Sequence, residues 1–321
     1  MDRRQTLAAL FATPLLSAAW AQDFPSKPIR LIVAFGAGSG NDLIARELAK
    51  HMSDTLGQPV VVENRPGGGG SVGTDVVAKA TPDGHTIGLG TSSQMVMNVG
   101  LYKTLPFDVE RDLRSIGLVA RTGMILVASS KMPPTLAGLI ALAKAQPGKL
   151  TYGSGGPGSI SHIVGEAFAK AAGIALLHVP YKGNGPALAD LAGGHVDLLF
   201  DGFLATNPLV AQGKAQILAV SAPQRNAMGP QVPTFAEAGL PDYQAYTWNN
   251  LFAPAATPQA AVDRLNQALA HALAQAGIKE RLARGGSEAL GPSTPAEADA
   301  FGQRERARWV PFVRAMNIET S

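Results

Sequence analysis

The chain has 321 residues, of which 46% are hydrophobic and 16% charged, so it has ample material for a buried core and is not a disordered chain. It contains no cysteine, which excludes a thiolate nucleophile, a thiolate metal site and disulfides. Its formal net charge of +3 comes without a concentrated run of lysine and arginine, so nucleic-acid binding has no support.

The first 21 residues have the features of an export signal. A basic start, Arg3-Arg4, precedes the apolar run Leu7–Ala19 and a small-x-small cleavage motif that ends at Ala21. The run is shorter than the roughly 20 apolar residues that a membrane-spanning helix needs. We therefore predict a signal peptide at 1–21 that is cleaved after Ala21, with Sec and Tat export both open, and a mature protein outside the cytoplasm.

The first part of the mature chain alternates short apolar strands with amphipathic helices. The predicted strands are Ile29–Phe35, Pro59–Glu63, Thr86–Gly90, Ser115–Ala120 and Met124–Ala128. The predicted helices are Asp42–Leu56, capped at its end by Gly57, and Ser71–Ala80. This alternation predicts an α/β fold with a largely parallel sheet.

The same pattern starts again near residue 150. The predicted strands are Leu150–Gly153, Ala175–Val179, Val196–Asp201 and Gln216–Val220. Ser159 caps a predicted helix that runs to Gly173, and its apolar face consists of Ile160, Ile163, Val164, Ala167, Phe168 and Ala171. Two last helices, Gln259–Ala276 and Pro295–Met316, should pack back on one lobe. A strand, a glycine-rich turn and a helix thus occur twice, about 120 residues apart, which predicts two similar α/β lobes.

The two glycine-rich turns are the main candidates for a binding site. The first contains Phe35, Ala37, Gly38, Ser39, Gly40, Asn41 and Asp42, and the second contains Ser154, Gly155, Gly158 and Ser159 and reaches His162. Glycine lets several backbone N–H groups converge, and the helix that follows each turn adds its positive dipole end. Each turn therefore suits a carboxylate or phosphate, although either one alone is equally typical of a plain strand-to-helix connection.

Other polar residues follow strands that should end at the same cleft, where open α/β sheets bind their ligands. These residues are Thr91, Ser92, Tyr181 and Asp201. His162 lies in a first helical turn, where a neutral ring either donates one hydrogen bond to a carboxylate or only caps the helix. Asp42 would repel an anion, so we expect it mainly to brace its own turn; the alternative is a contact with an ammonium group or an ordered water on the ligand.

Enzymatic and cofactor patterns are weak. Gly36-x-Gly38-x-Gly40 lacks the full spacing of a dinucleotide fingerprint, and only Glu63, a candidate for the acidic residue after the next strand, keeps that interpretation open. Ser71 lies in a G-x-S-x-G pattern but does not directly follow a strand, as a nucleophile elbow requires. None of the six histidines has H-x-x-x-H spacing, so we expect no metal site. An exported serine hydrolase remains the enzymatic alternative.

An ordered series of short motifs spans the mature chain. It consists of Glu63-Asn64-Arg65-Pro66-Gly67, Pro82-Asp83-Gly84, Leu105-Pro106-Phe107-Asp108, His178-Val179-Pro180-Tyr181-Lys182-Gly183, Gly194-His195-Val196-Asp197, and Val232-Pro233-Thr234 with Glu237-Ala238-Gly239. Together these motifs resemble the Bug-type periplasmic solute-binding proteins of tripartite tricarboxylate transporters.

The resemblance implies a two-lobed periplasmic-binding-protein fold of the Venus flytrap type (type II), monomeric and without a cofactor or catalysis. It implies capture of a small organic carboxylate between the lobes and delivery to membrane transporter subunits; a sensory binding protein of the same fold is the alternative. In the family both strand–loop–helix turns hold a ligand carboxylate, which here implicates Phe35–Asp42 and Ser154–His162. The first turn departs from the usual Pro-Gly-Gly, since this chain has Gly36–Asn41 there.

The ligand and the lobe boundaries follow only as expectations. Aliphatic di- or tricarboxylates, aromatic acids and amino acids all remain open, and no pair of basic residues near the turns indicates a second carboxylate. We expect two crossings between the lobes, near Ala120–Met124 and within Ser221–Trp248. Lobe 1 then consists of 22–123 and 226–321, and lobe 2 of 124–225.

Overall fold

The computed structural model describes residues 24–181 and 183–318. The predicted signal peptide and its cleavage site lie outside the described residues. Across those residues, no helix combines the length and the apolar composition that crossing a bilayer requires.

The strands and helices of the described residues mostly alternate along the chain. The strands are β1 Ile29–Val33, β2 Val60–Asn64, β3 Thr86–Thr91, β4 Leu113–Gly123, β5 Ile125–Ser129, β6 Thr151–Ser154, β7 Leu177–Pro180, β8 Leu198–Asp201, β9 Ala215–Val220, β10 Tyr246–Pro254 and β11 Ser287–Ala289. The helices are α1 Gly40–Leu56, α2 Ser71–Ala78, α3 Asn98–Leu101, α4 Leu136–Ala145, α5 Ile160–Ala172, α6 Asn184–Gly193, α7 Phe203–Ala211, α8 Gln259–Ala274, α9 Ala276–Arg284 and α10 Pro295–Ala315.

The strands form two sheets, which confirms the predicted two-lobed α/β architecture. The larger sheet has the order β11-β4-β10-β3-β1-β2, and the smaller has the order β7-β6-β8-β5-β9. In each sheet three strands are parallel, β2-β1-β3 and β7-β6-β8, and the others join them antiparallel. The prediction of a largely parallel sheet was therefore wrong, because β10, which lies partly in a segment that we assigned to a crossing, inserts antiparallel between β3 and β4.

The helix after the second glycine-rich turn begins where Ser159 was predicted to cap it, whereas α1 begins at Gly40, two residues before the predicted Asp42. Ser39 and Ser159 are the N-caps of α1 and α5, and their side chains accept from the backbone amides of Asp42 and His162. Gly57 ends α1 in the left-handed region, which glycine adopts without a Cβ clash. On α5 one predicted core residue, Ala171, is exposed, and Ala172 takes its place because helical periodicity moves the buried face by one position.

The chain passes between the two sheets twice. The first passage is Met124, between β4 and β5, and the second is 221–245, between β9 and β10. The passages are bonded to each other, since the backbone amide of Met124 donates to the hydroxyl of Ser221 at 2.9 Å. They are also in tight contact, because a Cβ on Gly123 would lie 2.7 Å from that of Ala222.

The second passage packs mainly against the smaller sheet. The ring of Phe235 lies 5.7 Å from that of Phe168 and 4.5 Å from that of Tyr243, centroid to centroid. Phe235 is also bonded through its backbone to Val220 of β9. The lobe boundaries remain a proposal, and these contacts favour assigning the residues up to 245 to lobe 2.

The position of β10 can be tested at Gly88 of β3. A Cβ there would lie 2.3 Å from the ring of Phe252 on β10, so Gly88→Ala should lower the free energy of unfolding by about 1–3 kcal/mol through overpacking. Gly185→Ala is the matched control, because no atom lies within 4 Å of its added Cβ. Urea unfolding that gives equal stabilities for the two variants would contradict this packing of β10.

Candidate functional site

The two glycine-rich turns have the same hydrogen-bond pattern, 120 positions apart. In the first, the amide of Ser39 donates to the carbonyl of Gly36 (3.2 Å), and the amide of Gly38 donates to Oδ2 of Asp42 (2.8 Å). In the second, the amide of Ser159 donates to the carbonyl of Gly156 (3.1 Å), and that of Gly158 donates to Nδ1 of His162 (3.0 Å). The middle glycines both have a positive φ, 80° and 74°. Asp42 and His162 are therefore equivalent residues of two equivalent turns.

Each turn leaves the same two amides of its helix without an internal partner. They belong to the first two helical residues, Gly40 and Asn41 on α1 and Ile160 and Ser161 on α5. Within a helix no carbonyl is available to these positions, and the serine cap satisfies only the amide of the third. With the helix dipole behind them, such amides form an anion-binding site.

A cavity of about 510 Å³ lies between the two sheets, at the carboxyl ends of β1 and β3. Five of the predicted site residues line it: Phe35, Gly40, Asn41, Thr91 and Ser92. A second cavity of about 410 Å³ shares Phe35, Ser93 and Ile160 with the first, and the predicted residues Gly158 and Ser159 line it. The two turns thus line neighbouring cavities, and Ile160 at the start of α5 lines the same cavity as Gly40 and Asn41 at the start of α1.

The other predicted site residues line neither cavity, and most of them shape the turns from behind. They are Ala37, Gly38, Ser39, Asp42, Ser154, Gly155, His162, Tyr181 and Asp201. The amide of Gly155 donates to Ser161 (3.0 Å), the hydroxyl of Tyr181 donates to Asp190 (2.7 Å), and Asp201 accepts from the amide of Gly202 (2.8 Å). Burial raises the pKa of Asp201. Their contact with a ligand remains a prediction.

The carboxylate of Asp42 braces the first turn. Oδ2 accepts from the amide of Gly38 and from Nε of Arg46 (3.0 Å), and Oδ1 accepts from Nδ2 of Asn64 (2.9 Å). The side chain is almost fully buried, and the hydrogen bond from Arg46 is the main reason that its pKa falls to about 2, with the bonds from Gly38 and Asn64 adding to the shift. The charge beside the free amides of α1 is therefore neutralised by Arg46.

Behind the second turn lies a stack of aromatic rings. The ring of His162 is stacked on that of His178, nearly parallel and with centroids 3.9 Å apart, and the ring of His178 lies 4.9 Å from that of Tyr152. Nε2 of His178 is 2.6 Å from the hydroxyl of Ser154. Burial lowers the pKa of both histidines, that of His178 to about 4, with His162 adding to the effect on His178. The second turn is thus uncharged at neutral pH.

Two contributors to the site were missed from the sequence. Nδ2 of Asn249, on β10, donates to Oδ1 of Asn41 at 2.9 Å and so orients that side chain in the cavity. Gln94 accepts from the amide of Thr91 at 2.8 Å and also bonds its hydroxyl. Asn249 is distant from Asn41 in the sequence, and Gln94 lies in the π-helical segment Ser93–Met97, so no spacing pattern indicates either residue. His178 could have been found from the sequence, because it lies in the predicted strand Ala175–Val179. That strand pairs in parallel with the strand of Tyr152 and places the two residues side by side.

The residues of the enzymatic alternatives have other partners. The hydroxyl of Ser71 accepts from Nδ2 of Asn98 at 3.1 Å, and it has no bond to a histidine or carboxylate in the described part of the chain. Glu63 pairs with Arg30 (2.7 Å) and Arg65 (3.3 Å) on the surface. Within 24–181 and 183–318, no group of three histidine, aspartate or glutamate side chains could hold a metal ion.

The chain is similar to a family of transport receptors. The family profile described as "Tripartite tricarboxylate transporter family receptor" matches residues 44–318. Protein BugT of Bordetella pertussis is 36% identical over 92% of this chain and 90% of its own length.

Two solved structures add ligands to the comparison. R. palustris Rpa4515 with adipate is 33% identical, with a TM-score of 0.77 over 92% of this chain and 99% of that one. MatC from Rhodopseudomonas palustris with bound malate is 32% identical, with a TM-score of 0.74 over 90% of this chain and 100% of that one.

The brace at Asp42 predicts a pH dependence of stability. Because its pKa is lower in the folded protein, about 2 against 3.8, its contribution of about 2 kcal/mol is present above pH 4 and is lost as the pH falls from 4 to 2. Asp42→Asn should therefore be less stable than the parent at pH 6 and equally stable near pH 2, by urea unfolding. Asp54→Asn, an exposed change on the same helix, is the control; a constant difference for Asp42→Asn at all pH values would contradict the account.

The two stacked histidines, of which His162 is buried and His178 half-buried, predict a second pH effect. His178 stays neutral in the folded protein down to pH 4, whereas it gains a proton below about 6.5 when unfolded, so its stabilising contribution is lost as the pH falls from 6.5 to 4. His178→Gln should reduce the slope of stability against pH in that window. His271→Gln, at an exposed position, should leave the slope as it is. An unchanged slope in His178→Gln would contradict the burial of a neutral ring.

Proposed function

The chain belongs to the family of tripartite tricarboxylate transporter receptors, and from this premise we propose that it captures a small organic carboxylate between its lobes and delivers it to membrane transporter subunits. The adipate and malate bound by its structural relatives support the ligand class. The family consists of solute-binding receptors, so the hydrolase alternative is not retained. Export to the periplasm, with cleavage after Ala21, and a monomeric state are part of the same proposal.

One observation carries the proposal: the two equivalent turns leave the same two amides free, and Gly40, Asn41 and Ile160, which carry three of these four amides, line one cavity. A carboxylate between them accepts from Gly40 and Asn41 on one side and from Ile160 and Ser161 on the other. Bonds from N–H groups to a carboxylate are charge-assisted, and exclusion of water strengthens them. No lysine or arginine is needed at this position, because backbone dipoles supply the positive potential.

The neutral His162 fits this role. Its Nδ1 accepts from Gly158, so in the neutral ring the proton lies on Nε2. The second turn then carries no negative charge that would repel the ligand. At the first turn, the ion pair with Arg46 neutralises the negative charge of Asp42. Both helix N-termini therefore keep their preference for an anion.

Closure of the lobes accompanies binding in this proposal. Gly158 of the second turn lies against α3 of the larger lobe, since a Cβ on it would lie 2.7 Å from Leu101. The ligand favours the closed arrangement only by the amount that it binds more tightly to that form. The bonded passages at Met124 and Ser221 are the places where such a motion bends the chain. The transporter would then recognise the closed form.

Proline substitution tests the amides directly. Proline is tolerated at the first helical position and removes only the N–H there, so Gly40→Pro should keep α1 and lose one ligand bond. Measured against Gly40→Ala, which retains the amide, we expect the dissociation constant to rise by about 10- to 100-fold. The measurement is calorimetric titration of residues 22–321 with the tightest-binding acid of a panel that includes adipate and malate.

Ala276→Pro is the matched control, because it makes the same change at the first residue of α9. It should leave the affinity within about twofold of the parent. Equal affinities for Gly40→Pro and Gly40→Ala would overturn the role of the α1 amides. Absence of binding by any carboxylate, with the protein folded and freed of co-purified ligand, would overturn the ligand class.

A further inference from the structure

Two arginines line the cavity between the lobes, and both come from α9. Arg281 and Arg284 lie in the last turn of this helix, and the cavity of about 510 Å³ that they line is also lined by Gly40 and Asn41. The expectation that no basic pair lies near the turns was therefore wrong. The two residues are about 240 positions away in the sequence, and only the fold brings them to the cleft.

These two arginines supply the side-chain charge of the cavity. Of the described residues that line it, Arg281 and Arg284 are the only ionisable ones. Arg284 forms an exposed pair with Glu280 at 3.2 Å, and Arg281 forms no ion pair or side-chain hydrogen bond with the described residues. Between them, Leu282 is buried and holds the end of α9 in place. The cavity thus has two cations and no acid, beyond the partial positive charge of the helix N-termini.

Large apolar side chains also line the same cavity. Leu43 on α1 and Leu204 on α7 line it from the two lobes, and they are two of the few large hydrophobic residues that the described chain exposes, 36% and 68%. Phe35 and Ile160 add to this surface. Exposed leucines on opposite walls of one cavity are suited to bury an apolar part of a ligand.

We propose that Arg281 and Arg284 are specificity-determining residues of this site, and that they bind the far carboxylate of a dicarboxylate with an apolar spacer. The proposal rests on the proposed function, in which the near carboxylate binds the amides of the two turns. The planar guanidinium groups match a carboxylate and hold it through paired hydrogen bonds. The spacer lies between Leu43 and Leu204. The arginines therefore select for a second carboxylate, and the leucines select against a polar chain between the two charges.

Calorimetric titration of residues 22–321 with matched acids tests the proposal. The dicarboxylates are succinate, glutarate, adipate and suberate, and each is compared with the monocarboxylate of equal chain length. We expect at least one dicarboxylate to bind about tenfold more tightly than its monocarboxylate. In the double variant Arg281→Gln, Arg284→Gln this preference should disappear, while the affinity for the monocarboxylate stays within about twofold.

A matched variant separates local contacts from net charge. Arg111→Gln removes an exposed arginine that does not line the cavity, and it should keep the full preference for dicarboxylates. Added salt should weaken binding of the dicarboxylate more in the parent than in the double variant, because a partly exposed ion pair is screened.

The outcomes distinguish the two proposals. If monocarboxylates and dicarboxylates bind equally to the parent and the double variant, the subsite is wrong and the proposed function stands. If the preference for a dicarboxylate persists in the double variant, the subsite is likewise wrong. If no acid binds to the folded parent protein, both are overturned.

Discussion

The backbone amides that open α1 and α5 cannot be satisfied within their own helices, and this constraint organises the site. Ser39 and Ser159 satisfy one amide each, and Asp42 and His162 satisfy that of the glycine before the cap. Two amides per helix remain, and both helix ends face the space between the sheets. The sheets, the passages between them and the ring stack behind the second turn fix where these four amides point.

The two turns share one geometry but differ in the side chain that braces them. Asp42 is ionised and needs Arg46 to offset its charge, whereas His162 is neutral and is supported by the ring of His178. The difference leaves the two halves of the site with similar preference for an anion but with different responses to acid. Asp42 and His162 brace the turns from behind, and the lining of the 510 Å³ cavity itself contains no acidic side chain.

Local features of the fold could be predicted from the sequence, and long-range ones could not. The cap Ser159 and both glycine turns depend on neighbouring residues, so their positions followed from spacing, whereas the cap Ser39 was missed and α1 begins two residues before the predicted Asp42. Strand β10 was missed because its start lies in a segment rich in turn residues, and its place between β3 and β4 is set by pairing with strands far along the chain. Asn249 meets Asn41 across 208 positions, and Arg281 reaches the cleft only through the packing of α9 on α1.

A crystal structure of residues 22–321 with adipate tests the central claim most directly. The account predicts one carboxylate between the two turns, with its oxygens within about 3.2 Å of amide nitrogens at the start of both α1 and α5. A ligand whose carboxylates contact only side chains, or which contacts one turn and leaves the other in solvent, would contradict it.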